Sequence, residues 1–511
     1  MKIAQEVNLG KTDVEGNVEK AANDLAAFVN QAFREQQPLH EAEHGIWQRV
    51  LQIGRQAMQT LLHLHGDGDV GEQVELENGQ IAKRLREHHP RSYVSVFGPF
   101  ELSRVVYGSR EGQAIECVPL DIRLALPESK FSYLLQEWDQ FVACEEPYAK
   151  VSQFLEKILD LRQHVDSLER MSRRMAEDVE SFRESLPAPP AKEEGAIFVV
   201  SADGKGVPIR RPADAPRIHE HRSQRGPKKD RKRMAIVGAA YSIDPYVRTA
   251  EEVVDALFRA PAEERPASRR PEPCHKRVCA SLTLENENED EAREAIATVF
   301  GWLAQQQQER NPSAKKTVTA VMDGQESLWE ALHLFQPPEI TRVEILDLLH
   351  VTPRLWQAAH LFHAVKSSQA EQFVRERLLR ILRGGVGEVI RGLRQMGTKR
   401  RLGASAHNTL RRICNYLDAN RGRMRYDEYL ASGYPIASGV IEGACRHYVK
   451  DRMERTGMSW RKPGAQAMLE LRATYLNGDW DAFVHYHIDR ETNRLYPNRH
   501  AFCDEPYPLA A

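Results

Sequence analysis

Cysteine is scarce and carries no pattern. The 511-residue chain has seven, an odd number, scattered without a CxxC pair. This excludes a disulfide scaffold and fits a reducing compartment. No run approaches 18 apolar residues, so no transmembrane helix is expected. The opening residues, MKIAQEVNLGKTDVEGN, lack the apolar stretch of a secretory signal. There is no GxxxxGK[ST] phosphate loop, which disfavours a nucleotide-driven motor. No internal repeat is visible. What remains is an ordinary globular composition, 41% hydrophobic and 28% charged, long enough for three or four domains.

The net charge of −2 conceals blocks of one sign. Eight basic residues lie between Arg217 and Arg233 (Arg217, Arg222, Arg225, Lys228, Lys229, Arg231, Lys232, Arg233), against Glu220 and Asp230. A second basic stretch runs from Arg375 to Arg425, while Glu285 to Glu294 is acidic. Such segregation suits a polyanion-binding face, with a solvated surface or disordered linker as the alternative. Nucleic acid is the partner that the charge favours.

Residues 17 to 65 have helical apolar spacing. YVSVFGPFELSRVVY reads as a β-hairpin turning around Gly98-Pro99. Residues 131 to 185 read as helices, with Asp166 as an N-cap and Glu169 three residues on. Two short amphipathic helices there form either a helix-turn-helix or a plain helical hairpin. LPAPPAKEEG (186–195) reads as a linker. Residues 196 to 350 alternate strand and helix patterns, and 354 to 430 are Arg- and Leu-rich helices. The expected organisation is an N-terminal helical region (1–89), a β-hairpin and helix-turn-helix-like DNA-binding region with linker (90–190), an α/β core (195–353), a helical insertion (354–430), and a C-terminal part of the core (431–511).

Two apolar strands end alike. FVVSADG carries Asp203 and TAVMDG carries Asp323. An Asp leaving a strand end sits at the open edge of a sheet, where α/β proteins bind ligands, although Asp-Gly is also common turn chemistry. Two carboxylates on adjacent strand ends repel unless a cation neutralises them, and Mg²⁺ accepts such ligands. A third carboxylate from a helix would complete a two-metal clamp for phosphoryl transfer. Glu442, in SGVIEGACRHYVKDRMERTG, is the candidate. On that helix Ile441, Cys445, Tyr448 and Met453 form a buried stripe. Glu442 and Arg446 lie beside it, spaced for a surface ion pair as well as for a site. Asp347 and His350, in EILDLLHV, are spaced for a metal site, for a carboxylate-oriented His, or for a polar turn. His63-Leu64-His65 and His485-Tyr486-His487 match a His-hydrophobic-His nuclease pattern without strand context, and Cys274, His275 and Cys279 are not completed as a zinc site.

The segment YPIASGVIEGACRHYVKDRMERTGMSWRKPGAQAMLELRA resembles the C-terminal signature of bacterial insertion-sequence transposases of the ISKra type. IFVVSADGKGV and KTVTAVMDGQESLWEAL resemble the two Asp-bearing strands of that family, and the resemblance extends over roughly residues 90 to 500. It implies an RNase H-like mixed-sheet core interrupted by an all-helical insertion. It implies DDE catalysis by Asp203, Asp323 and Glu442, with Asp347 and His350 in support. Two Mg²⁺ ions, replaceable by Mn²⁺, would be bridged by Asp203 and held also by Asp323 and Glu442. They would activate water to cut the element's end, and then the freed 3′-hydroxyl to attack target DNA. Partners would be terminal inverted repeats, target DNA and further copies of the chain. Lys228, Lys229, Arg231, Lys232, Arg446 and Lys450 would contact DNA, and the protein would be cytoplasmic and nucleoid-associated. A metal-dependent nuclease that cannot join strands, and a DNA-binding protein without catalysis, are the alternatives.

Lysines and arginines in the first basic stretch neutralise phosphates but do not by themselves read base edges. Replacing Lys228, Lys229, Arg231 and Lys232 with Ala is therefore expected to weaken binding to all DNA alike. Each lost phosphate contact should reduce the log–log salt slope by roughly 0.9. Titrations against several DNA sequences at several salt concentrations measure this, and an unchanged slope removes the cluster from the DNA path.

Overall fold

The structure is a computed structural model that describes residues 14–76, 78–110, 114–210, 232–258, 270–282, 289–335, 340–455 and 458–503. Lys228, Lys229 and Arg231 lie outside the described residues. The chain divides into two compact units. One comprises residues 1–174 and 480–511, the other residues 175–479. The division thus falls after Arg174 and after Asp479, rather than at the Pro-rich segment near 190. Residues 480–511 go with the first unit, not with the remainder of the expected C-terminal part of the core.

The first unit opens with two helices, Val14–Arg34 and Leu39–Leu64. The hairpin pairs Arg91–Ser95 with Gly98–Leu102. Its turn is Val96-Phe97, two residues earlier than the Gly-Pro pair suggests. Gly98 instead opens the second strand at φ +113°, a conformation that only glycine adopts readily. Asp166 lies inside the helix Val165–Ala176 rather than capping it. Trp480, on the helix Trp480–Leu495, sets its ring edge-on to Phe141. Arg174 and Arg494 both reach Glu128, and Tyr496 Oη donates to Leu126 O at 2.7 Å. These contacts explain why a segment so late in the chain completes this unit.

The second unit holds a five-stranded mixed sheet, so this part is α/β. Its elements, numbered in chain order, are strands β1 (Ile197–Pro208), β2 (Lys232–Ile243), β3 (Cys274–Leu282), β4 (Thr317–Met322) and β5 (Arg342–Leu346). The spatial order is β5-β4-β1-β2-β3. β1, β4 and β5 are parallel, and β2 and β3 run antiparallel to their neighbours. Both faces are covered, which is why IFVV and TAVM read as continuous apolar runs. Residue parity divides the faces. Phe198, Val200, Ala202, Val318, Ala320 and Met322 pack with α1 (Glu289–Arg310) and α2 (Glu326–Phe335). Ile197, Val199, Val321 and Ile345 pack on the other face. There they meet α3 (Leu348–Ala359), α4 (Ser368–Leu382), α5 (Val386–Lys399), α6 (Ala404–Ala419) and α7 (Tyr426–Ala431). The long helical stretch therefore shares one core with the sheet. Among the described residues no helix is long and apolar enough to cross a membrane.

In the first unit Asp139 is fully buried, and its Oδ2 accepts from Gln163 Nε2 at 2.7 Å. Burial pushes its carboxyl up to about 8, against 3.8 for the ordinary group. Between those values the folded state binds a proton that the unfolded chain releases. The contribution to stability is thus complete below about pH 4 and declines as pH rises toward about 8, at up to about 1.4 kcal/mol per pH unit. Asp139→Asn is expected to remove that slope, as measured by urea unfolding at pH 5, 6, 7 and 8. An unchanged slope would assign the pH dependence to other groups.

Candidate metal centre at the sheet edge

Strand parity puts Asp203 on the same face as Ile197 and Val199. Asp203 is not at the end of its strand. β1 pairs with β4 only as far as Val200, then continues along β2 to Pro208, with Asp203 opposite Val237. The antiparallel partner extends the strand through the Asp-Gly pair, which the turn reading of those residues does not anticipate. The sheet nevertheless opens beside Asp203, because its parallel neighbour stops. Asp323 follows the last residue of β4, and Asp347 follows the last residue of β5. Two aspartates thus emerge at the carboxyl ends of parallel strands and the third, Asp203, lies where β1 loses its parallel neighbour, on the side where α/β sheets hold ligands.

Asp323 is fixed by two donors on Oδ1, the Gly324 N–H and the Tyr416 hydroxyl, the latter at 2.9 Å. Tyr416 lies on α6, and its ring faces the Arg354 guanidinium at 4.8 Å. Burial first, and the Asp323 charge second, raise the Tyr416 phenol, so it stays a donor. Gly324 has to be bare. A Cβ there would meet the Tyr416 ring at 2.6 Å and Asn420 Nδ2 at 2.7 Å.

Asp347 is fully buried and caps α3. Its Oδ1 accepts from Leu349 N at 2.8 Å and its Oδ2 from the Ser438 hydroxyl. The helix α3 begins at Leu348, so Leu348, Leu349 and His350 form its first turn. Ser438 precedes α8 (Gly439–Gly443), the short helix that bears Glu442. Asp347 therefore ties the end of β5 to the start of the Glu442 helix.

His350 stands in the middle of this group. Its Nδ1 is 3.6 Å from Asp323 Oδ2, and its Nε2 is 3.2 Å from Glu442 Oε1 and 3.9 Å from Asp347 Oδ2. Asp203, His350 and Glu442 each present a ligand atom within 4.8 Å of the others. The partner of Glu442 is thus His350, instead of the Arg446 that its helical spacing offers. After Gly443 the helix widens to a π-helix over Ala444–Lys450, a feature found often at functional sites. Cys445 directs its thiol at Asp203 Oδ2, 3.4 Å away. Burial, with Asp203 and Glu442 nearby, raises that thiol, so it remains a protonated donor. Burial also raises the Asp203 carboxyl, with the Asp323 charge adding to the shift. A cation at this edge would offset both effects.

The expected stripe of Ile441, Cys445, Tyr448 and Met453 is buried. Arg446 and Lys450 are exposed. Lys232, at the start of β2, is engaged by Glu454. Tyr416, Ser438 and Cys445 were not picked out as site residues by sequence reasoning. Ser438 had one signal, its position just before a helix. Tyr416 had none, since it lies in a stretch whose periodicity speaks only of helix.

Gly324→Ala is expected to lower stability by about 1–3 kcal/mol, the usual cost of overpacking, as measured by chemical denaturation. Tyr416→Phe removes one donor from Asp323; if that carboxylate holds a divalent cation, the change is expected to weaken its binding about tenfold. Unchanged cation affinity would limit Tyr416 to a packing role.

No family model and no curated protein matches this chain. Among solved structures, it is similar to the Drosophila P element transposase strand transfer complex, with 11% identity and a TM-score of 0.24, over 75% of this chain and 88% of that chain.

Proposed function

We propose that this chain is a DDE transposase with an RNase H-like core, of the insertion-sequence type its C-terminal segment resembles. The observation that carries the reading is the meeting of Asp203, Asp323 and Glu442 around His350 at one sheet edge. They come from a mid-strand position, a strand end and a helix beyond a long helical insertion. The sheet supports it through its order, with two parallel strands beside β1 and an antiparallel pair on its other flank.

The donor set fits a hard divalent cation. Carboxylate oxygens converge there, one from a carboxyl whose burial disfavours its charge unless a cation is near. Asp203, Asp323 and Glu442 would hold Mg²⁺, with Mn²⁺ as substitute. When bound, the metal supplies nucleophile activation and stabilisation of the leaving oxygen. The chain's own residues do the positioning. Tyr416 and the Gly324 N–H hold Asp323, Cys445 holds Asp203, and Asp347 with Ser438 sets the angle of the Glu442 helix. Exposed Arg446 and Lys450 lie on the same helix as Glu442, placed to meet phosphates beside the cluster. The DNA would be the element's terminal repeats and a target, and copies of the chain would pair on it. A metal-dependent nuclease on the same core is the second reading, favoured by the same carboxylates.

Asp203→Asn, Asp323→Asn and Glu442→Gln are each expected to reduce DNA cleavage to background while the fold and DNA binding persist. The substrate is a duplex carrying the terminal sequences sought as inverted repeats on either side of this reading frame, incubated with Mg²⁺. Near-wild-type cutting by one variant removes that residue from the centre. Joining of the cut end to a plasmid distinguishes the transposase from the nuclease, which would cut without joining.

A further inference from the structure

We infer that His350 is itself a ligand of the cation, so that the centre takes one imidazole nitrogen beside its carboxylates; the inference rests on the metal-dependent reading above. The ring is not at the margin of the cluster, where packing alone would put it. Nε2 lies 3.2 Å from Glu442 Oε1, and Nδ1 lies 3.6 Å from Asp323 Oδ2. With Asp203 and Glu442 it forms a set of three donors within 4.8 Å of one another. Asp323 is held from elsewhere by Tyr416 and the Gly324 N–H, so it does not depend on His350 for its position.

Imidazole as a metal ligand has two requirements. One nitrogen faces the ion, and the other donates to a carboxylate or carbonyl that fixes the ring. Carboxylates stand on both sides of the His350 ring, so either nitrogen has such a partner. The backbone fixes the approach. Asp347 caps α3, and His350 falls in the first turn, three residues on, facing back toward the strand ends. The inference has a chemical consequence. Mg²⁺ prefers oxygen ligands and retained water; Mn²⁺ also takes mainly oxygen donors but, as a first-row transition ion above Mg²⁺ in affinity for nitrogen, accepts an imidazole more readily. The centre should therefore favour Mn²⁺ over Mg²⁺ by more than carboxylates alone would.

The test uses the full-length protein titrated with Mn²⁺, with bound ion read by electron paramagnetic resonance and directly bound nitrogen by electron spin echo modulation. Wild type is expected to show modulation from one imidazole. His350→Ala should lose it and bind Mn²⁺ about tenfold or more weakly, while Mg²⁺ affinity, measured by displacement of Mn²⁺, falls less. His350→Gln, which retains bulk and hydrogen bonding, should lose the modulation as well; circular dichroism establishes that both variants fold. Bound Mn²⁺ without nitrogen modulation in wild type overturns the inference and leaves the proposed function standing, with His350 only a neighbour of the carboxylates. Modulation that persists in both variants also overturns it, because another residue then supplies the nitrogen. Failure of wild type to bind Mn²⁺ at all overturns the inference and the proposed function together.

Discussion

Repulsion between carboxylates is the constraint around which the second unit is arranged. Two unit charges about 4 Å apart interact by roughly 4 kcal/mol at the effective dielectric of a protein surface. Asp203, Asp323, Asp347 and Glu442 are gathered at the edge of the sheet where its parallel strands end or lose a neighbour, and each aspartate is met by donors of its own. Asp203 has the Cys445 thiol and the Gly204 N–H. Asp323 has Tyr416 and the Gly324 N–H. Asp347 has Ser438 and Leu349. Glu442 lies 3.2 Å from His350 Nε2. Asp347 is fully satisfied and buried, which suits a tie. Asp323 and Glu442 remain partly exposed, which suits groups that meet a ligand.

The helices between β5 and the Glu442 helix bear directly on this edge. Their apolar residues, among them Phe373, Leu378, Ile390 and Leu417, belong to the same core as Val199 and Ile345 of the sheet. From within that core α6 sends Tyr416 to Asp323. Tyr426 and Tyr429 donate to backbone carbonyls of β5, at 2.7 Å to Leu346 O and 3.0 Å to Glu344 O. A change in the packing of these helices is therefore transmitted to the second carboxylate through one hydroxyl, and to the end of β5 through two more. The widened turn after Gly443 has a comparable effect at Asp203, because it sets where Cys445 falls relative to β1.

Much of this was legible in the amino-acid sequence, for local reasons. Buried parallel strands need unbroken apolar runs, so IFVV, TAVM and EIL announce themselves, and the aspartate that comes after each run lies at the open edge. The 22-residue helix Glu289–Arg310 follows from composition and length alone. Glu442 was different. Its helix pattern separated a buried stripe from its flank, but the flank offered an ordinary ion pair with Arg446, and only the resemblance of the surrounding segment singled it out. His350 was legible as one half of a spaced pair, and nothing local said that its ring would stand between Asp323 and Glu442.

What the sequence determined by itself is therefore the set of strands, the aspartates that follow their apolar runs and the buried stripe of the Glu442 helix. Each depends on periodicity within a few neighbouring residues. The tertiary structure decided the rest. That β1 runs on past Asp203 depends on a partner strand some thirty residues away. That the hairpin turns at Val96-Phe97 depends on pairing register, not on its Gly-Pro pair. That Tyr416, Ser438 and Cys445 reach the three aspartates depends on helices folded back across the sheet edge from positions far along the chain. Such contacts leave no periodic trace, because the donor and the acceptor meet only when the core between them has formed.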